Sequence, residues 1–274
     1  MPALKWFQFP IRELQGAILS GTDLTRANLD NSNFKEANMR GANISNASLK
    51  NTSLVNAILC SANFHHADLT GTNMTKANLS GADMVLANIS SACMSNVRLI
   101  NAILCSSRLN GVDLTGADMT GANLKGADMS DVMLTNATLI NANFTDVKLA
   151  GADMINTNLS GANLSSAYIR GASMFNANME SANLFGANLA RANLSGAELA
   201  EANLAGADLA GANLQDANLT RAKFSDANLR DAILFNVCMT EADLSDANLI
   251  GADLFNVDLT RVNLSNTRLT ETDQ

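Results

Sequence analysis

Residues Ala187 to Leu219 read ANLARANLSGAELAEANLAGADLAGANLQDANL. The pattern is Ala, a polar residue, Leu, and two freer positions, repeated seven times without a break. A helix repeats its face every 3.6 residues and a strand every two. A strict period of five fits neither over a long run. It fits a short extended segment of three residues followed by a two-residue corner. Within the segment the small, polar and large side chains alternate in, out and in.

The same register extends far beyond this stretch. Large apolar residues recur at every fifth position from Leu14 to Leu269, which makes 52 positions with no insertion or deletion. All of them are Leu, Met, Phe or Ile. Two residues earlier, from Ala17 to Thr267, stands only Ala, Ser, Thr or Val. All 17 glycines fall two residues after the large position, Gly16, Gly21, Gly211 and Gly251 among them. A corner that needs positive φ selects Gly there and tolerates Asn. Asn31, Asn46, Asn136 and Asn236 follow that rule, and Arg26, Glu36 and Asp231 fill other corners. A chain that turns the same way every five residues winds into a solenoid whose successive coils pair in parallel.

The tandem A-[DN]-L-x-x pattern resembles the pentapeptide-repeat proteins, from about Arg12 to the C-terminus. The resemblance implies an all-β fold: a right-handed, quadrilateral, parallel β-helix with four units, or 20 residues, per coil. On that reading the 52 units make about 13 coils, a rod about 60 Å long at roughly 4.8 Å per strand spacing. The family includes quinolone-resistance proteins that protect DNA gyrase as acidic DNA mimics, as well as bacterial effectors and cyanobacterial regulators. No projecting loop interrupts the register here. The expected organisation is an apolar N-terminal cap over 1–11, an uninterrupted repeat over 12–271 and a polar tail over 272–274.

The cap expectation rests on Leu4, Trp6, Phe7, Phe9 and Ile11, which would cover the first coil. At the other end Leu264 and Leu269 precede a short polar stretch. An unpaired edge over an open core invites pairing with a second chain, so these two are candidate end-to-end homodimer contacts.

A 20-residue coil sorts the outward positions onto four faces. The faces that begin at Leu14, Leu19, Leu24 and Leu29 sum to −4, −2, −3 and 0, from the formal charges of the sequence. The acidic column Asp113, Asp153, Asp216 and Asp253 is sparse, and so is the basic stripe Arg108, Lys148, Arg170 and Arg191. Outward apolar residues are more informative. Ile155, Phe175, Phe235 and Phe255 share one column of the Leu14 face, with Ile233 beside Phe235. Exposed aromatics in one column are a candidate protein interface.

Composition and motifs narrow the function classes. The net charge of −8 argues against direct nucleic-acid binding through phosphates. The start MPALKWFQFP is not a secretory signal and no apolar run reaches membrane-spanning length, so a cytoplasmic location with no membrane span is expected. Cys60, Cys93, Cys105 and Cys238 show no metal or disulfide spacing. His65 and His66 have no acidic or Cys partner 20 residues away, so neither metal nor cofactor is expected. No catalytic motif stands out, and a loop-free coil offers no concavity for convergent polar groups. The reading is a non-catalytic scaffold that binds a macromolecule, a protein partner above all. The alternative is a DNA mimic acting on gyrase or another topoisomerase. A third reading, an ice or other surface binder, would rest on the short Thr column Thr220, Thr240 and Thr260.

Overall fold

The computed structural model describes residues 13–269, so the expected cap over 1–11 and the tail over 272–274 lie outside the described residues. Its contacts group the chain into two compact units, Met1–Thr138 and Leu139–Gln274. Both are built the same way. The five positions of a repeat are numbered here from the small residue: first Ala202, second Asn203, third Leu204, fourth Ala205, fifth Gly206.

Second-position residues pair in parallel with the residue 20 further along. In the first unit these bridges run from Glu13–Asn33 to Asp118–Thr138, and in the second from Asn143–Asn163 to Asn248–Arg268. A five-residue step with a 20-residue return gives four sides per coil, so each unit is a four-sided parallel β-helix. The sides are shorter than the three-residue strands that the periodicity suggests. Pairing is confined to single second-position residues. The reason is the corner, which draws on the residues at both ends of each side: Ala207 N–H donates to the Leu204 carbonyl at 3.0 Å, closing a turn over Ala205 and Gly206.

Among the described residues every fifth position carries positive φ, in all 17 glycines and equally in residues such as Arg26 (φ 59°) and Asp216 (φ 59°). The fourth position does not, which is the sign pattern of a type II turn. Glycine is therefore preferred but not required: the lattice of turns holds other side chains in the left-handed region. Among the described residues Leu86 (φ 58°) is the one aliphatic residue held there, and it is exposed.

Inside, the first and third positions behave as their types dictate. Leu204, Phe34, Phe64, Phe144 and Phe224 are fully buried, and the first-position alanines beside them nearly so. Burying each large side chain contributes about 1.5–3 kcal/mol. Most buried hydroxyls at the first position find a backbone carbonyl: Thr72 Oγ1 donates to Leu69 at 2.8 Å, Thr157 Oγ1 to Met154 at 2.7 Å and Thr52 Oγ1 to Leu29 of the preceding coil at 2.7 Å, whereas the Thr22 and Ser32 hydroxyls have no partner among the described residues.

The outward Asn and Asp of the second position complete the backbone accounting. In the repeat Ala202–Gly206, Ala202 N–H donates to the Leu199 carbonyl, Asn203 N–H to Ala182, Leu204 N–H to Lys223 and Gly206 N–H to Ser225, at 3.0, 2.9, 2.7 and 2.8 Å. Only the fourth N–H lacks a backbone acceptor. Ala205 N–H donates instead to Asn203 Oδ1 at 3.2 Å. The same side-chain turn recurs from Thr25 on Asp23 to Ser265 on Asn263. This is why the motif reads A-[DN]-L: a short acceptor two residues before the orphan donor closes it.

Candidate functional site

The sequence-derived interface column lies wholly within the unit Leu139–Gln274, and the structure divides it. Ile155 and Phe175 occupy adjacent coils, joined by Asn156 N–H donating to the Phe175 carbonyl at 2.9 Å. Ser195 and Gln215 then stand in the same column before Phe235 and Phe255. The second pair is the better formed. The two rings stack with centroids 5.7 Å apart and planes 3° from parallel. Phe255 is 56% exposed and Phe235 half-buried, and the neighbouring Ile233 is 40% exposed. The fully buried Phe144 and Phe224 sit at the third position, whereas Phe235 and Phe255 sit at the fourth, where the corner turns the side chain outward.

Polar groups border the pair on both sides. Asn236 Nδ2 donates to Asp216 Oδ1 at 2.6 Å and Asn256 Nδ2 to Asn236 Oδ1 at 2.7 Å, a ladder along the fifth position. On the second position Ile233 is followed by Asp253, whose Oδ1 accepts from Phe255 N–H at 3.0 Å. Among the described residues no Lys or Arg reaches within ion-pair distance of Asp216, Asp253 or Asp258.

Phe255 also lines an open cavity of about 630 Å³, with Leu254, Val257, Leu259 and Leu269 as its apolar walls and Asp258 and Asn256 as its polar ones. Leu254 and Leu259 are third-position residues that are only half-buried, and Leu269 is 45% exposed. Of the two proposed dimer contacts, Leu269 therefore lines this cavity while Leu264 stays half-buried outside its lining. Thr260 donates its hydroxyl and its N–H to Asp258 Oδ1, which holds that carboxyl below the usual carboxylate range.

Charge sorts along the chain more sharply than around it. Through Thr138 there are 10 acidic and 10 basic residues; from Leu139 on there are 16 acidic and 8 basic. The whole net charge of −8 thus belongs to the second unit, which also carries the stacked pair.

Elsewhere, the His65 and His66 rings meet edge to face at 4.5 Å. Thr220 and Thr240 flank Cys238, an exposed thiol held below its ordinary pKa first by the Thr220 hydroxyl and then by Thr240 N–H. Sequence reasoning passed over Phe185, a fourth-position residue that is 54% exposed, although its register alone placed it outward.

A four-sided coil of five-residue sides with Asx-closed corners defines a repeat scaffold. The pentapeptide-repeat family model matches residues 13–236 and 238–273 in overlapping blocks, and the chain belongs to that family. Among solved structures it is similar to HetL, a pentapeptide repeat protein involved in heterocyst differentiation regulation in the cyanobacterium Nostoc, at 29% identity over 93% of this chain and 92% of that one (TM-score 0.25). It is similar also to trypsin-treated QnrB1, a plasmid-mediated fluoroquinolone resistance protein, at 16% identity over 78% and 90% (TM-score 0.43). Rfr23 from the cyanobacterium Cyanothece shares 38% identity over 38% of this chain and 58% of its own (TM-score 0.17). No curated protein matches the chain. No helix among the described residues is long and apolar enough to cross a membrane.

Proposed function

We propose that the protein is a non-catalytic, cytoplasmic β-helical scaffold that binds another protein, in the right-handed, roughly 13-coil form that the family resemblance implies. The observation that carries this reading is the stacked, solvent-exposed pair Phe235 and Phe255 with Ile233 beside it. Burying the open ring surface against a partner would remove apolar area from water, which is favourable. Ile155 and Phe175 form a second, smaller contact further along the same column.

The test is co-purification of a bound protein from the source cells by the unaltered chain and by a variant with Phe235→Ser and Phe255→Ser. Loss of the partner with an unchanged circular dichroism spectrum and melting temperature supports the reading. Retention of every partner by the folded variant refutes it.

The acidic second unit favours one alternative, a DNA mimic that occupies a topoisomerase. Such a protein would protect gyrase supercoiling from a quinolone, and no protection at a large molar excess removes this alternative. A second copy pairing through Leu264 and Leu269 is a competing use of the same end of the unit. It would show as a doubled mass in light scattering that Leu269→Asp reverts.

A further inference from the structure

Resting on the protein-binding reading, the surface around Phe255 also specifies the chemistry of its occupant. We propose that the stacked Phe235–Phe255 pair and the adjoining cavity form a docking site for a cationic side chain, arginine or lysine, presented by a segment of a partner protein. The cavity has two kinds of wall. Leu254, Val257, Leu259 and Leu269 offer apolar surface, and Asp258 places a carboxylate beside them. A long basic side chain has the matching form, an aliphatic stem that buries against apolar groups and a charged head that stays with an anion. The Phe255 ring lines the same cavity and is stacked on Phe235. It presents an aromatic face of the kind that guanidinium and ammonium groups approach.

Charge complementarity selects this occupant over an apolar one. Asp216 and Asp253 border the ring pair, Asp258 borders the cavity, and none of the three has a Lys or Arg of this chain within 4.0 Å among the described residues. By contrast Glu241, on the neighbouring side, is taken up by Arg221 at 2.9 Å and Arg261 at 4.0 Å. Other carboxylates of the unit, Asp146 and Asp226 among them, also stand in no ion pair among the described residues, but Asp258 is the one that lines the apolar cavity, and the unit carries the full −8. A second copy of this unit would bring like charge to the same place, and an uncharged apolar segment would leave Asp258 beside it without a cation.

The test uses the full chain and a fluorescein-labelled octapeptide of alternating alanine and arginine, followed by fluorescence anisotropy at low and high salt. A matched peptide with citrulline in place of arginine keeps the shape and removes the charge. The expected result is saturable binding of the arginine peptide that weakens with salt, and no saturable binding of the citrulline peptide. Asp258→Asn and Phe255→Ser should each weaken binding about tenfold. Asp146→Asn, which removes an exposed charge of the same unit away from the cavity, should change it by less than about twofold. Equal losses from Asp146→Asn and Asp258→Asn would overturn the proposal, because attraction to bulk charge would then suffice. Binding of the citrulline peptide as tight as that of the arginine peptide, or no binding of either, would also overturn it. If the partner of the scaffold is lost with Phe255→Ser but kept with Asp258→Asn and at high salt, protein binding stands and the cationic occupant falls. Melting curves for each variant establish that the coil is intact.

Discussion

Replacing Asn183 by Ala isolates the role of the second-position side chain. Asn183 Oδ1 accepts from Phe185 N–H at 3.3 Å and from Asn203 Nδ2 at 3.1 Å, while its Nδ2 donates to Asn163 Oδ1 at 3.1 Å. The substitution leaves the β-bridges and the buried Leu184 untouched and deletes three hydrogen bonds. A net hydrogen bond contributes about 0.5–1.5 kcal/mol. These three are half-exposed, so water replaces part of each, and the expected total is about 1–2 kcal/mol. Asn183→Asp keeps the acceptor for Phe185 and loses the donor to Asn163, so it should cost less than half as much. The assay is amide hydrogen exchange resolved at Phe185 and Asn203, since a repeat array need not unfold in two states and its local openings carry the signal. Protection at Phe185 should fall about five- to thirty-fold in Asn183→Ala and remain near the parent value in Asn183→Asp. Unchanged protection in Asn183→Ala, or equal loss in both variants, would refute the assignment of this side chain as the turn's acceptor.

Other expectations follow from single residues. Leu204→Ala, at a fully buried third position, should cost about 3–5 kcal/mol, and Leu204→Asp more, read as lost circular dichroism or a lowered melting temperature. Leu86→Asn should raise the melting temperature slightly, because Asn is easier than Leu to hold at φ 58° and the side chain is 46% exposed. Thr220→Val should slow iodoacetamide labelling of Cys238 near pH 8, since the Thr220 hydroxyl, 3.4 Å from Sγ, is the main group favouring the thiolate. Asp68 titrates below the usual range: burial opposes this, but the Thr70 hydroxyl and N–H, and Lys50 at 3.2 Å, outweigh it. A lowered folded pKa contributes stability that is present above the ordinary carboxylate value of about 4 and is lost as pH falls through the folded value. The difference in melting temperature between the parent and Asp68→Asn should therefore shrink below about pH 3–4.

The inside of the coil was legible because it is dictated one residue at a time. A third position that is never polar and a first position that is never large can face only inward, and the glycine register marks the corners. The 20-residue return is different: a period of five is compatible with other numbers of sides, and only the resemblance implied four before the bridges showed it. The second position was legible as outward and polar, but its Asn and Asp looked like solvated surface. Their role appears only when each backbone N–H is counted and Ala205 is found to need Asn203. At the candidate site, Phe235 and Phe255 follow from the register, since residues 20 apart must neighbour. The cavity under Phe255 does not, because it depends on how far Leu254 and Leu259 remain uncovered. The charge was readable throughout, yet sorting it by face hid that all of it falls after Leu139.

The most direct test of protein docking at this face is photo-crosslinking in the source cells, with a benzophenone side chain placed at position 255 in one protein and at position 205 in another. Ala205 is a fourth-position residue on a different face of the same unit. A discrete adduct with another protein is expected from position 255 and none from position 205. Equal adducts from both positions, or none from 255 while the protein is folded and expressed, would contradict docking at this face.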